Sequence, residues 1–259
     1  MKVISVCNNK GGVGKTAVSM ALCEALNNAG LKTLLIDLDQ QINATKQAGV
    51  KTENVVTAYD LLTSFEYTAK DGIQEYEHGY IVPGDVLVNA AEVEISKLDT
   101  SLTMLDDALD SVRDEFDYVV IDCPPSLGLV TRNAFVASNE LIVVVMPDKS
   151  SIDGFARIVD AATHIKSNKR LNPDLNIAGI LINSYNPRGK LDREVDAVLP
   201  DLAKQAGTSV FETRIRRNIS VSQALSCRKS LFDFDSNSAA AQDLQSFVNE
   251  FINKESKVA

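Results

Sequence analysis

Cysteine and histidine are scarce. The four cysteines, Cys7, Cys23, Cys123 and Cys227, lie far apart, with no CxxC pair and no Cys/His cluster. Neither a disulfide framework nor a zinc site is favoured, and all four are expected as reduced structural thiols. The two histidines, His78 and His164, are isolated in sequence and are expected at the surface or in packing rather than as ligands. Long apolar runs are missing too. The longest strongly apolar stretch, Leu141 to Met146, stops at Pro147 and is far too short to span a bilayer as a helix. The N-terminus, MKVISVCNNK, lacks the apolar core and cleavage site of a signal peptide, so the cytoplasm is the expected compartment. There is no internal repeat, Pro-rich linker or low-complexity segment.

Net positive charge is also lacking. The chain carries a formal charge of -9 with a pI near 4.8, which alone argues against a nucleic-acid partner. The charge is unevenly placed, however. Between Arg188 and Lys229 there are nine basic and five acidic residues, so this segment is +4 and the remainder -13. At 259 residues, with 45% hydrophobic and 24% charged residues, the composition is that of a globular protein, and one domain spanning 1–259 is expected.

Short β-branched runs alternate with segments of helical period, which predicts an α/β fold: a mostly parallel twisted sheet with helices on both faces. Strands are expected at Lys2–Cys7, Thr33–Asp37, Tyr118–Asp122, Leu141–Met146, Ile177–Ile182 and Ser209–Thr213. Helices are expected at Lys15–Ala29, Ser101–Arg113, Leu127–Ala137, Asp153–Ser167, Asp192–Ala206 and Ser238–Asn253. The stretch from Val50 to Leu98 has no clear period.

The strongest local signal is Asn9-Lys10-Gly11-Gly12-Val13-Gly14-Lys15-Thr16, between the first strand and an Ala/Leu-rich helix. Glycines let successive backbone N–H groups point at phosphate oxygens, and the helix N-terminus adds its positive end. Gly11, Gly12, Val13, Gly14, Lys15, Thr16 and Ala17 are therefore the expected nucleotide-binding residues. Lys15 would meet the β- and γ-phosphates, and the Thr16 hydroxyl would ligate Mg²⁺. Asp122 ends the apolar strand of YVVID as a Walker B aspartate does and would hold Mg²⁺ directly or through water, unless it merely caps the next helix. Asp37 and Asp39, at the end of LLIDLD, share one face of an extended strand.

Asn9 stands where the general phosphate-loop pattern has glycine, and a lysine follows it. This KGGVGKT variant resembles the deviant Walker A loop of the ParA, MinD and nitrogenase-iron-protein group. DLDQQINAT resembles the ParA pattern DLDPQGNAT, with Gln40 for proline and Ile42 for glycine. DCPPSLG, VPGDVLVNAAEVEI and TRIRRNISVSQA are also ParA-like, the last with Arg216 in place of proline. The matches run from the first strand to about residue 235 and resemble the short, Soj-like type without an N-terminal DNA-binding domain.

That resemblance implies an ATPase, with ATP and Mg²⁺ as cofactors, acting as a homodimer with ATP sandwiched between subunits. Lys10 would reach the partner's nucleotide, Asp39 would orient or activate the attacking water, and Asp37 would lie near the metal shell. Arg216 and Asn218 become candidates for the adenine pocket, and Asn183 a further nucleotide contact. The implied partners are non-specific DNA and a ParB-like centromere-binding protein, with a nucleoid-associated location and no membrane. Arg188, Arg214, Arg217, Arg228 and Lys229 are the candidate DNA contacts.

Three competing functions share the loop. A MinD-like membrane-positioning ATPase needs a basic, amphipathic C-terminal helix, whereas this chain ends FVNEFINKESKVA. A nitrogenase-iron-protein-like carrier needs two cysteines per subunit for a bridging cluster, and Cys123 is expected in the sheet core. A small-molecule kinase or ligase has no need of Lys10 or the basic segment.

Overall fold

The computed structural model describes residues 1–98 and 100–255. Its strands are β1 (Lys2–Cys7), β2 (Thr33–Asp37), β3 (Gln74–Tyr76), β4 (Gly79–Val82), β5 (Tyr118–Asp122), β6 (Glu140–Val145), β7 (Asn176–Tyr185) and β8 (Val210–Arg216). The helices are α1 (Lys15–Asn28), α2 (Asn43–Ala48), α3 (Ala58–Thr63), α4 (Ala69–Gly72), α5 (Ala91–Ile95), α6 (Met104–Leu109), α7 (Leu129–Ala137), α8 (Lys149–Ser167), α9 (Lys190–Gln205), α10 (Ile219–Ser226), α11 (Leu231–Asp235) and α12 (Ala239–Glu255).

One sheet runs in the order β3-β4-β2-β5-β1-β6-β7-β8, all parallel except the β3–β4 hairpin. Alternation along each strand sorts side chains onto two faces. Val3, Leu34 and Val119 pack toward α6, α7 and α8, whereas Ile4, Leu35 and Val120 pack toward α1 and α12. Strands buried on both faces read as continuous apolar runs, which is why the central strands were legible in sequence. The order reverses around β1, and in such sheets ligands bind beyond the strand C-termini at this point.

The register sets the chemistry. Asp37 pairs with Asp122 across β2 and β5, and Val6 of β1 with Asp122, so two carboxylates end side by side next to the start of the phosphate loop.

Several expected boundaries move for physical reasons. Helix α8 begins at Lys149 instead of Asp153, because the Asp148 carboxylate caps it by accepting the Ser151 N–H at 2.9 Å. The helix expected at 101–113 is only α6 followed by a 3-10 turn, Asp110–Val112; Thr103 just before it donates its hydroxyl back to the Thr100 carbonyl at 3.5 Å, a local side-chain-to-backbone bond of the kind that competes with helix. Helix α7 starts at Leu129 because Gly128 is extended. The unassigned 50–98 stretch holds α3, α4, the hairpin and α5. Two T-x-x-D capping boxes, Thr57 with Asp60 and Thr68 with Asp71, start its first two helices.

Candidate nucleotide site

The loop from Asn8 to Thr16 curls at the end of β1. Gly12 and Gly14 adopt φ of 73° and 96°, the left-handed region that glycine enters without a Cβ clash. At Gly14 a side chain has a second obstacle, since a Cβ there would sit 2.1 Å from Asn183 Nδ2. Asn183 donates from that nitrogen to the Val13 carbonyl at 2.6 Å, tying β7 to the loop. Just after β1, Asn8 donates to the Val144 carbonyl and accepts from the Lys10 N–H. The Lys15 ammonium is nearly buried and donates to the Lys10 carbonyl at 3.2 Å, which holds it inside the curl.

A cavity of about 360 Å³ opens over this loop. Gly12, Gly14, Lys15, Thr16, Ala17 and Asp39 line one part, and Asn183, Arg216, Arg217 and Asn218 another. Residues expected from the first and last thirds of the chain thus meet in one place. Gly11, Val13 and Lys10 belong to the loop but do not line the cavity. Asn43, Met146, Ser184, Val221, Ser222 and Leu225 also line it and were not foreseen. A signal existed for three of them: Asn218 caps α10 by accepting the Ser220 N–H at 2.8 Å, and Val221, Ser222 and Leu225 follow at i+3, i+4 and i+7 on one helical face.

The carboxylates differ in setting. Asp39 is nearly buried, borders the cavity and accepts the Gln41 N–H at 3.0 Å. Asp37 is fully buried; one oxygen accepts from the Thr45 N–H and hydroxyl at 2.9 and 2.8 Å, and the other from the Asp39 N–H. Burial pushes its carboxyl up to about 6 against those hydrogen bonds. Asp122 is also fully buried and is pushed up to about 7, by burial first and then by the Asp37 charge. Its Oδ1 accepts from Ser19, whereas its Oδ2 is buried with no hydrogen-bond partner. An orphaned carboxylate oxygen beside a second buried carboxylate and the Thr16 hydroxyl fits a small divalent cation.

Ile42, the residue in place of the family's glycine, has φ 47°. The left-handed turn after Asp39 is kept, at a cost of about 1–2 kcal/mol for a side chain with a Cβ.

Comparison with known proteins agrees with this arrangement. The family model AAA_31, an AAA domain, matches residues 1–177. The sporulation initiation inhibitor protein Soj of Bacillus subtilis is 33% identical over 93% of this chain and 94% of its own. The chromosome partitioning protein ParA of Myxococcus xanthus is 31% identical over 98% and 89%. This chain belongs to the ParA/Soj family of P-loop ATPases. Among solved structures, cobyrinic acid a,c-diamide synthase of Mycobacterium smegmatis with ADP and magnesium superposes with a TM-score of 0.84 at 25% identity, covering 100% of this chain and 97% of that one. As a ParA/Soj-type protein this chain is an ATPase, and ATP with Mg²⁺ is what its loop, Thr16 and Asp122 fit.

The expected DNA contacts do not form one cluster. Arg188, in the loop after β7, and Arg217, after β8, are exposed at the C-terminal ends of neighbouring strands. Arg217 donates to Ser184 Oγ at 3.1 Å. Arg214 departs from the expectation: it is half-buried, pairs with Asp196 at 2.7 Å and donates to the Glu212 carbonyl, so its charge is already committed. Arg228 and Lys229 are exposed but line a different cavity with Gln47 and His78. Arg216 borders the nucleotide cavity while its guanidinium makes a two-pronged pair with Asp243 on α12, both bonds 2.8 Å.

Cys123 is buried in the sheet as expected, and burial pushes its thiol up to about 12. Cys7 and Cys23 are buried as well, whereas Cys227 is exposed. His78 is not isolated. It lies between Glu24 and Asp233, partners far from it in sequence.

Proposed function

We propose that the chain is a single-domain, ParA-type partition ATPase. Its ATP-bound dimer holds DNA without reading sequence, and hydrolysis, stimulated by a ParB-like partner, releases it. The observation that carries this is the joining of Lys15, Thr16 and Asp39 with Asn218 in one cavity, with the unpartnered Asp122 oxygen just beyond.

Bound ATP·Mg²⁺ would supply the cleavable phosphoanhydride and the neutralising cation. The loop N–H groups and the Lys15 ammonium grip phosphate oxygens, because charge-assisted bonds in a water-poor setting are strong. Thr16 and Asp122 would hold the cation, with Asp37 the neighbouring carboxylate. Asp39, the carboxylate that borders the cavity, positions the attacking water. Asn218, Met146, Val221 and Leu225 offer the polar and apolar edges that an adenine needs. Lys10 stands outside the cavity, which suits a residue that acts on a partner's nucleotide.

A membrane-positioning role has less support. Ala240, Leu244, Phe247, Val248 and Phe251 of α12 are buried in the core, where Phe247 packs edge-to-face on Phe211 at 5.0 Å. The apolar stripe of this helix is therefore unavailable for lipid. No helix among the described residues is long and apolar enough to cross a membrane. Residues 256–259, the end of the tail considered for membrane attachment, lie outside the described residues.

The test is nucleotide binding, dimerisation and turnover in parallel. Lys15→Ala is expected to lose ATP binding, and Lys10→Ala to keep it while losing dimerisation and hydrolysis. Near-normal ATP affinity without Lys15 contradicts the site, and normal turnover without Lys10 contradicts the dimer.

A further inference from the structure

Glu24, His78 and Asp233 come from three separate parts of the fold: α1, the turn of the β3–β4 hairpin, and α11. His78 Nδ1 lies 3.4 Å from Glu24 Oε1, and its Nε2 lies 2.8 Å from Asp233 Oδ2. One donor atom from each residue falls within 4.8 Å of the other two. The remaining Glu24 oxygen accepts from the Ser230 hydroxyl, which fixes the carboxylate's orientation. The group stands beside a cavity of about 310 Å³ that His78 and Asp233 line with Gln47 and Ala48 at the end of α2, whereas Asn43 at the start of α2 borders the nucleotide cavity.

Two further atoms at that cavity are unsatisfied. The Tyr76 hydroxyl and Gln47 Oε1 are buried without a hydrogen-bond partner, and both residues line it. Buried polar atoms without partners call for an explanation such as an ion or water. Charge points the same way, because two carboxylates share one imidazole. Arg228 and Lys229 also line the cavity, but neither pairs with Glu24 or Asp233.

We propose that Glu24, His78 and Asp233 bind one divalent transition-metal ion of the zinc class, at a site separate from the Mg²⁺ position at Thr16 and Asp122. An imidazole with two carboxylates suits zinc and its neighbours, whereas Mg²⁺ takes oxygen ligands only. The 3.4 Å between Nδ1 and Oε1 is the spacing of two ligands each about 2.0–2.1 Å from one tetrahedral ion. Asp233, half-exposed at 47%, swings from Nε2 to become the third ligand, and water takes the fourth position. The ion would clip α1, which begins at Lys15, to the segment just after α10, which carries part of the nucleotide cavity's wall. Metal would thus stiffen the nucleotide site from behind.

The test titrates Zn²⁺ by calorimetry, and Co²⁺ by its visible absorption, into the full chain kept in excess Mg²⁺·ADP so that the nucleotide site is filled. Wild type is expected to take up one equivalent and to melt at a higher temperature with Zn²⁺ than without. His78→Gln and Asp233→Asn should each weaken uptake by at least the roughly 10- to 100-fold that losing an outer-shell partner costs at such sites. Cys227→Ser, which removes the exposed thiol, should bind as wild type does. No stoichiometric uptake by wild type overturns the proposal. So does uptake by Asp233→Asn equal to wild type, a decisive arm because this side chain is half-exposed and its isosteric amide leaves no buried group behind. Loss of uptake in Cys227→Ser would place the metal on the thiol and likewise overturn it.

Discussion

The Lys10 ammonium lies 2.7 Å from Asp148 Oδ2 within one chain. Burial works against the Asp148 charge, but hydrogen bonds from Lys10, Ser150 and the Ser151 N–H outweigh it and hold its carboxyl down at about 2. At neutral pH the Asp148 carboxylate is therefore charged. Under the proposed function Lys10 reaches a partner's nucleotide and must first leave this carboxylate, so the contact would compete with dimerisation.

Asp148→Asn should release that competition while still capping α8, since asparagine caps as well as aspartate. Both side chains are about a third exposed, and such pairs contribute up to about 1 kcal/mol. The ATP concentration for half-maximal dimerisation, read by light scattering, should fall by up to about fivefold. A rise, or no change with Lys10→Ala still defective, would mean that Asp148 does not restrain Lys10.

Asp122 gives a pH prediction. Its folded carboxyl, near 7, sits above the roughly 3.9 of an unfolded aspartate. The folded state therefore holds the proton more tightly, and stability without nucleotide falls as pH rises from about 4 through about 7. Asp122→Asn removes the buried charge. It should be more stable than wild type at pH 8 by on the order of 1 kcal/mol or more, seen as a higher unfolding temperature, with the gap closing toward pH 5. Adding Mg²⁺·ATP should stabilise wild type more than the variant. A pH-independent gap in thermal melts would show that Asp122 is not the strained carboxylate.

Asp39→Ala should bind ATP and dimerise but turn over slowly, because phosphate grip is intact and only water positioning is lost. A fall in single-turnover rate of at least tenfold, with ATP affinity within about twofold, is the expected pattern. Unchanged turnover would move the role to another group, with Asp37 the next candidate. Asp37, however, is already held by three hydrogen bonds from Thr45 and Asp39.

Where the sequence was legible, a local rule was strong. The central strands are buried on both faces, so their apolar runs are unbroken, and the phosphate loop needs glycine at positions set by its own backbone. Asp37 and Asp122 could be named separately, but their side-by-side placement depends on the β2–β5 register, a long-range property. The same holds for Asp148, whose contact with Lys10 spans 138 positions, and for His78, which meets Glu24 and Asp233 only after folding. Arg214 misled because charge counting cannot tell a free arginine from one turned inward to Asp196. Short capped helices such as α3 and α4 left too few turns for a period to register.

ATP should control how long this protein stays on DNA. Arg188 and Arg217 follow adjacent strands and are exposed, Arg217 also bordering the nucleotide cavity and donating to Ser184 Oγ, yet a chain of net charge -9 should hold DNA poorly alone. A two-fold dimer doubles the pair and lets both halves engage one duplex. The direct measurement is binding of wild type, Arg188→Ala and Arg217→Ala to random-sequence duplex DNA in ATP, ADP and no nucleotide across a salt series. The account predicts binding only with ATP, a steep loss with salt, and weaker binding with a shallower salt slope in each variant. Equal affinity in all three nucleotide states, or wild-type binding by both variants while dimerisation is intact, would contradict it.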